Sequence, residues 1–427
     1  MTAIAIAAAL ALTQATPART LTYDDAIREA LARNNDLKAT RSRLDQARTI
    51  GWKAWAAQLP QVTAGASWTR NDRQVELPAF PPLLSEGITL QPLIARSAQV
   101  QATLPLFAPQ LWFGIGAAEA GQEQAELTLE TARREILFGV AQLYYGAVGS
   151  RYALQVTEKQ LAIARDHERD ATVRHQAGTT PRVALLRAEI DRARAEQDLE
   201  AARAGYDSAR AALATVLDRQ GTDFDVEAPT REPSAPQDGA ELESSVLRDR
   251  PDVRGAAAAL KAAERARGAV RSSYLPNLGA FGREQWLDPP GLTGERRSWA
   301  VGLALTWNVF DGTLREAQLR ESGARVAEAT AHRRSTELRA REEVVRARLD
   351  LDAAIANRKK AQEQVELARE NQRLVELSYK AGAATYIEVS DANNQLVSAE
   401  LASIGEQVRS RLAALRLLKA AGRFEPG

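Results

Sequence analysis

The sequence predicts an internally duplicated α+β membrane protein in which each half contains two short β-strands and one long antiparallel helical hairpin. The duplication is visible as an offset: Pro60 recurs as Pro276 (276 − 60 = 216), and Gly178 recurs as Gly382 (382 − 178 = 204). Solenoid repeats have periods of about 20 to 50 residues, so this longer offset indicates a duplicated domain. Both copies show the same order of helix, strand, Pro/Gly-rich loop, strand, very long helix and return helix.

The first half begins with an amphipathic helix. Thr22 is its predicted N-cap, Asp24 and Asp25 add favourable negative charge to the first turn, and Pro60 follows its end. A stretch rich in Pro, Gly and Asp predicts a linker between the halves. The predicted divisions are a signal peptide 1–18, a first repeat 19–218, a linker 219–239, a second repeat 240–421 and a tail 422–427. The first repeat is predicted to contain a helix 22–58, strands 61–70 and 96–106, a long helix 111–176 and a return helix 181–217. The second repeat is predicted to contain a helix 240–273, strands 276–286 and 298–309, a long helix 314–380 and a return helix 386–420.

Four segments alternate apolar and polar residues, which is the pattern of a strand with one apolar face. The clearest runs from Trp299 to Trp307, with Val301, Leu303 and Leu305 on the same side. One such strand alone is typical of a sheet on a soluble core. Four strands of about ten to twelve residues, each with a polar face, favour outer-membrane strands that face lipid on one side and water on the other.

The two longest helices contain no proline and are each roughly 100 Å long at about 1.5 Å per residue. Small and apolar residues spaced by three and four predict a coiled-coil seam in the first, and seven of the eight positions stay small or apolar 204 residues later. The seam positions are Val140, Leu143, Ala147, Ser150, Leu154, Thr157, Leu161 and Ala164, followed by Val344, Ala347, Leu351, Ala354, Arg358, Ala361, Val365 and Ala368.

Composition restricts the class of function. Lys and Arg number 56 against 55 Asp and Glu, so the net charge of +1 does not favour a nucleic-acid partner. No cysteine is present, which excludes disulfides, thiolate metal sites and a lipidated cysteine. The apolar stretch from Ile4 to Leu12 and small residues up to Ala18 predict a signal peptide without the usual basic n-region, which leaves the translation start open. No later run of 18 apolar residues predicts a transmembrane helix.

No catalytic or cofactor-binding pattern is present. Three histidines are scattered over helices, without an HExxH pair or a serine elbow. His167 and His175 lie eight residues apart on a similar face, a spacing that favours solvated histidines over a metal site. The glycines of GIGAAEAG, at 114–121, have the wrong spacing for a dinucleotide loop. We therefore expect no enzymatic activity, no cofactor and no metal site.

Four strands cannot close a membrane barrel, because the smallest common barrels need about eight. A dimer would supply 8 strands and a trimer 12, and the strand count alone does not choose between them. The chain resembles the TolC-like outer-membrane efflux proteins, also called outer membrane factors. The resemblance is carried by the duplication and by LPQVTAGASW, LPNLGAFGREQW, LPLFAP, WNVFDGTLREA and YKAGAATYIEVSDANNQLVSAELA.

The resemblance implies a homotrimer with a shared 12-stranded β-barrel in the outer membrane and an α-barrel tunnel of twelve helices crossing the periplasm. It further implies partnership with a periplasmic adaptor protein, an inner-membrane pump and outer-membrane lipid. The implied function is a passive exit duct for tripartite efflux or type I secretion, with a cargo of drugs, metal ions, lipids or polypeptides left open. The alternative is a soluble periplasmic coiled-coil scaffold or adaptor whose strands form a small sheet.

The resemblance also implies particular site residues. Gly178 and Gly382 correspond to the helical turns that dock the adaptor. Tyr379 corresponds to part of the latch that closes the periplasmic end of the tunnel, and Glu388 and Asp391 correspond to acids facing that aperture. A local interpretation of the acids is a capping box formed by Thr385 and Glu388, and one residue can serve both roles.

Two positions depart from the pattern of the family. Its Arg and Asp latch partners correspond here to Ala384 and Ala184, so the closing contacts must differ. Arg182 and Lys380 are the suggested substitutes.

Overall fold

The computed structural model describes residues 19–78, 81, 88–229, 246–290 and 294–424. The predicted signal peptide lies outside these residues, as do residues 230–239 of the predicted linker and the start of the helix predicted from residue 240. No helix among the described residues has an apolar run long enough to cross a bilayer.

The chain forms two compact units, and each unit takes segments from both repeats. The first unit is built from Met1–Arg41, Thr128–Val253 and Glu337–Gly427, and the second from Ser42–Leu127 and Arg254–Thr336. Both units need both halves of the duplicated sequence.

Seven helices and eight strands are labelled in chain order within the described ranges. The helices are α1 (Tyr23–Arg33), α2 (Asn35–Ala56), α3 (Pro109–Gln176), α4 (Arg182–Val216), α5 (Pro251–Ser272), α6 (Leu314–Lys380) and α7 (Tyr386–Ala420). The strands are β1 (Arg19–Leu21), β2 (Gln61–Arg70), β3 (Val75–Leu77), β4 (Ile88–Gln91), β5 (Ile94–Phe107), β6 (Phe224–Val226), β7 (Asn277–Asp288) and β8 (Arg297–Thr306).

Each strand pair is preceded by a predicted helix, and both of these helices differ from the prediction. The helix predicted over 22–58 is interrupted at Asn34, whose ψ of 125° is not helical. Its side chain accepts a bond from the Leu37 amide at 3.0 Å and donates to the Val216 carbonyl at 3.1 Å, so it caps α2. In the second half α5 begins at Pro251, because a proline disfavours helical backbone in the residue before it.

The predicted linker is wrong in its first part. Residues 224–226 form β6, which pairs in parallel with β1 and contributes buried Phe224 and Val226 to the core of the first unit. The sequence Phe-Asp-Val is short and lies between turn residues, so no periodicity marks it as a strand. Its partner β1 is more than 200 residues away in the chain.

The core of the first unit follows the predicted seam. Every described seam position is buried or half-buried, and small residues such as Ala147 and Ala347 are almost completely inaccessible. Small side chains let helices approach closely, because dispersion contacts require short separations. A half-buried ion pair also joins distant segments, since Arg219 donates two bonds of 2.6 Å to Glu29.

The second unit contains a four-stranded antiparallel sheet in the order β2-β5-β7-β8. Strand β8 ends at Thr306, earlier than the predicted 309, because its partner β7 begins at Asn277 and Asn277 pairs with Thr306. Strands β3 and β4 form a separate short hairpin between β2 and β5. A four-stranded sheet thus forms from two strands of each repeat.

Tyr144 is expected to stabilise the β1–β6 pair. Its fully buried hydroxyl lies 2.8 Å from the Leu21 carbonyl and 2.7 Å from the Glu227 carbonyl. We predict that Tyr144→Phe accelerates amide hydrogen exchange in both strands about tenfold, the equivalent of about 1.4 kcal/mol for lost hydrogen bonding. Tyr152→Phe on the exposed side of the same helix is the control. Equal exchange in the two variants would contradict the role of Tyr144.

Candidate functional site

The four-stranded sheet has one apolar and one polar face. Directly paired residues share a face, and Val62, Val100 and Leu303 lie on the same side through the registers of the sheet. The opposite face carries polar side chains such as Gln99 and Gln101. Along β8 the apolar side chains of this face are strongly exposed: Trp299 75%, Val301 72%, Leu303 67% and Leu305 67%.

Aromatic and charged residues bracket this apolar face. At the loop end lie exposed Trp68 and Trp299, with an ion pair of 3.6 Å between Arg96 and Asp288. Exposed Trp307 lies at the other end, and its indole nitrogen donates to the Tyr274 carbonyl at 3.1 Å. The eight steps from Trp299 to Trp307 (307 − 299) span about 26 Å at about 3.3 Å per residue, close to the apolar band of about 25 Å in outer-membrane barrels.

The edges of the sheet have no partner strand within the described residues. β2 pairs only with β5, and β8 pairs only with β7. Each edge strand therefore presents a row of backbone donors and acceptors outward. An exposed apolar face combined with two long free edges is a feature that soluble proteins avoid.

In the first unit, α3 and α4 form one hairpin and α6 and α7 form a second, each with a glycine turn. Gly178 has a φ of +73° and Gly382 a φ of +77°. In both turns the amide after the glycine bonds back five residues, from Thr179 to the Arg174 carbonyl at 2.9 Å and from Ala383 to the Ser378 carbonyl at 2.8 Å. This is the Schellman pattern, in which glycine takes the left-handed position.

The two turns differ in how the following helix begins. Helix α7 starts with a capping box: the Thr385 hydroxyl accepts from the Glu388 amide, and the Glu388 carboxylate accepts from the Thr385 amide at 2.7 Å. Helix α4 follows Pro181 without a side-chain cap. In that turn the Nδ1 atom of His175 lies 2.9 Å from the Thr180 carbonyl oxygen. Because a carbonyl oxygen can only accept a hydrogen bond, Nδ1 is the donor.

Glu388 and Asp391 are both exposed on the first turns of α7. The backbone hydrogen bond from Thr385, assisted by its hydroxyl, lowers the pKa of Glu388. The predicted capping box is thus present. Asp391 lines an open groove between α6 and α7 together with Asn371 and Asn394, where it is accessible to solvent.

A set of polar contacts joins the two hairpins of the first unit near these turns. The Asp191 carboxylate on α4 accepts from the Tyr386 hydroxyl at 3.1 Å and from the Ser390 hydroxyl at 2.7 Å. His167 on α3 lies 3.2 Å from the Asn393 amide nitrogen through its Nε2 atom. We call these five residues the hairpin clasp. The sequence analysis did not predict the hairpin clasp. The only indication in the sequence was that Asp191 lies seven residues after Ala184, on the same helical face.

The predicted latch residues lie beside the clasp. The Tyr379 ring packs 6.3 Å from the Tyr386 ring, and the Arg174 guanidinium lies 5.0 Å from its centre. Ala184 belongs to the apolar cluster around these rings. Of the two suggested substitutes, Lys380 pairs with Glu376 of its own helix at 3.2 Å, and Arg182 is exposed at the start of α4.

Comparison with known proteins identifies the family. The family model for the outer membrane efflux protein matches residues 26–219 and 242–423, one segment in each repeat. The chain belongs to the outer membrane efflux protein family. The resemblance drawn from the sequence is confirmed, and this family consists of transport conduits. The protein is an outer-membrane efflux channel, and the soluble scaffold is not favoured.

Two relatives show how far the similarity extends. The outer membrane protein OprJ of Pseudomonas aeruginosa is 27% identical over 410 residues, which cover 92% of this chain and 82% of OprJ. The probable efflux pump outer membrane protein TtgC of Pseudomonas putida is 27% identical over 423 residues, covering 93% of this chain and 82% of TtgC. Both are similar along nearly the whole chain.

Solved structures show the same fold at lower identity. The outer membrane protein VceC of Vibrio cholerae has a TM-score of 0.81 at 20% identity, over 94% of this chain and 97% of VceC. The open state of the MtrE outer membrane channel of Neisseria gonorrhoeae has a TM-score of 0.79 at 23% identity, over 95% of this chain and 90% of MtrE.

The left-handed glycines of the turns lead to a stability prediction. An added Cβ at Gly178 or Gly382 meets no atom within 4 Å, so only backbone strain opposes a larger residue. We predict that Gly178→Ala and Gly382→Ala each destabilise their turn by about 1 kcal/mol, measured as faster local hydrogen exchange, whereas Gly→Asn at either position costs less. Gly205→Ala, in the middle of α4, is the control and should slow exchange. Equal behaviour of all three alanine variants would contradict the prediction.

Proposed function

We propose that the protein acts as a homotrimeric, passive exit duct. The observation that supports this most directly is the four-stranded sheet with an exposed apolar face and two free edges. Pairing β2 of one protomer with β8 of the next would satisfy both edges, and three protomers would supply 12 strands for a closed barrel. The polar face, with Gln99 and Gln101, would line the water-filled interior, and the apolar face would contact lipid.

The helical hairpins would form the periplasmic tunnel of the same trimer. Apolar side chains remain exposed along them in a single protomer, and they include Val183, Ile190, Leu349, Leu367 and Leu377. Exposed apolar side chains on long helices are typical of surfaces covered by another subunit. A protomer that contributes four long helices gives a wall of twelve in the trimer.

The inner end of the duct would meet a periplasmic adaptor and an inner-membrane pump. The name of TtgC describes an efflux pump outer membrane protein, which supports a pump partner for this chain. The two glycine turns, at Gly178 and Gly382, are the proposed docking tips, because each ends a hairpin with exposed residues on both sides. Energy for transport would come from the pump, since a passive wall needs no catalytic residue.

Glu388, Asp391 and Tyr379 are proposed to surround the aperture at this end. Threefold symmetry would bring six carboxylates together, and low-dielectric walls would concentrate their field. Glu388 would act both as helix cap and as part of this acidic ring. The cargo itself is not specified by these residues, because a ring of carboxylates only favours cations over anions at the entrance.

The first test concerns assembly. We predict that the full chain fractionates with outer membranes and that its mass in detergent is that of a trimer. The free edges of β2 and β8 require partners that a monomer cannot supply. A soluble monomer in a detergent-free periplasmic extract would contradict the duct and favour the scaffold.

The second test concerns the acidic ring. In planar bilayers at low salt, the unaltered channel should prefer cations in a KCl gradient and should be blocked by a trivalent cation added on the helix-tip side. The Glu388→Ala, Asp391→Ala double variant should lose most of the preference and most of the block. Glu189→Ala, which removes an exposed acid of α4, is the control. Unchanged selectivity in the double variant would mean that the two acids act only at the helix start.

A further inference from the structure

The hairpin clasp contains a histidine in an unusual position. His167 is half-buried, and its ring packs edge-to-face against Tyr386 at 6.1 Å. The amide nitrogen of Asn393 is a donor, so it bonds Nε2 of a neutral imidazole, which carries a free lone pair there. Protonation would make Nε2 a donor that faces the Asn393 amide nitrogen, which is also a donor. It would also place a positive charge in this contact.

Charged groups approach His167 from three helices. On α3 itself these are Asp166 and Asp170, and on α6 the nearest is Glu376. The two remaining acids are on α4, where Asp191 and Asp198 line the same small polar cavity as His167.

Most of these acids already have partners. Asp166 pairs with Arg169, Asp170 with Arg174 at 2.9 Å, and Glu376 with Lys380 at 3.2 Å. The Asp191 carboxylate accepts from two hydroxyls of α7. Arg194 adds a positive charge beside Asp198 in the cavity. Within the described residues, a protonated His167 would therefore have to compete for four of these five carboxylates with a group that already holds them.

We propose that His167 makes the hairpin clasp sensitive to protons, so that the two hairpins are held together while the imidazole is neutral and separate more easily when it is protonated. The regulatory meaning of this contact rests on the proposed function, because it lies at the end of the hairpins assigned to the aperture. The contact itself is a property of one protomer and is testable without transport.

The direction of the effect follows from linkage. Burial lowers the pKa of His167, and the neighbouring acids Glu376, Asp170, Asp166 and Asp191 oppose this shift only in part. The separated hairpins, with a solvated histidine of pKa about 6.5, therefore bind the proton more readily than the closed contact does. The clasp has its full stability above about pH 6.5 and loses stability as the pH falls through the lower value.

The absence of cysteine in the sequence allows a direct measurement. Arg182→Cys and Ile387→Cys introduce two exposed attachment sites, one on each hairpin and neither in the clasp. Spin labels there report the distance between the hairpins in the detergent-solubilised full chain. Between about pH 7.5 and about pH 5, which bracket the ordinary histidine pKa of about 6.5, we expect the population at longer distance to increase several-fold.

Three variants separate the clasp from other titrating groups. His167→Gln keeps an uncharged polar side chain and should remove the pH response, while His332→Gln, at an exposed position of α6, should leave it intact. Asn393→Asp puts a carboxylate next to the imidazole, so the neutral-pH contact should then persist or tighten on acidification. A purely structural role for His167 would not produce this opposite response.

The outcomes are distinguishable from failure of the proposed function. A label distance that does not change with pH in the unaltered chain, or the same response in His167→Gln, would overturn the proton-sensitive clasp. If the distances shift as expected but purified protein conducts no ions in planar bilayers at any pH, the clasp stands and the proposed duct fails. If conduction occurs without any distance change, the duct stands and the clasp fails.

Discussion

The hydrogen-bonding requirement of two sheet edges is the constraint on which the rest of the architecture depends. Four strands with an apolar outer face leave the outer edges of β2 and β8 without a partner strand within the described part of the chain. In lipid, an unpaired backbone group costs several kcal/mol, because no water is available to replace the missing partner. An assembly in which neighbouring chains complete the sheet removes this cost, and the long hairpins must then conform to the symmetry that the strands require.

The two repeats share the same backbone arrangement but differ in the side chains that complete it. Both turns use a left-handed glycine with the same return hydrogen bonds, and both long helices keep the same small-residue seam. The helices after the turns begin differently, one with the Thr385–Glu388 capping box and the other after Pro181. The two turns therefore present different side chains although their backbones are alike.

The parts of the fold that were predictable from sequence have strong local causes. The ranges 314–380 and 386–420 coincide with α6 and α7, because Gly382 and Thr385 carry specific stop and start signals. The break at Asn34 depends on the distant Val216 carbonyl, and β6 depends on β1, so neither has a local pattern. For the same reason the acids near the turn were found by sequence, whereas the Asp191 contacts required coordinates.

The contrast between seam and clasp explains why a switch belongs at the ends of the hairpins. The seam consists of many small apolar contacts that no change of pH alters. The clasp depends on a few hydrogen bonds worth about 1 kcal/mol each, one of them made by an imidazole near its titration range. The free energy associated with one proton is small compared with that of the whole interface, yet it is comparable with the free energy of the clasp. The hairpin ends can therefore respond to acidity while the rest of the helical unit stays packed.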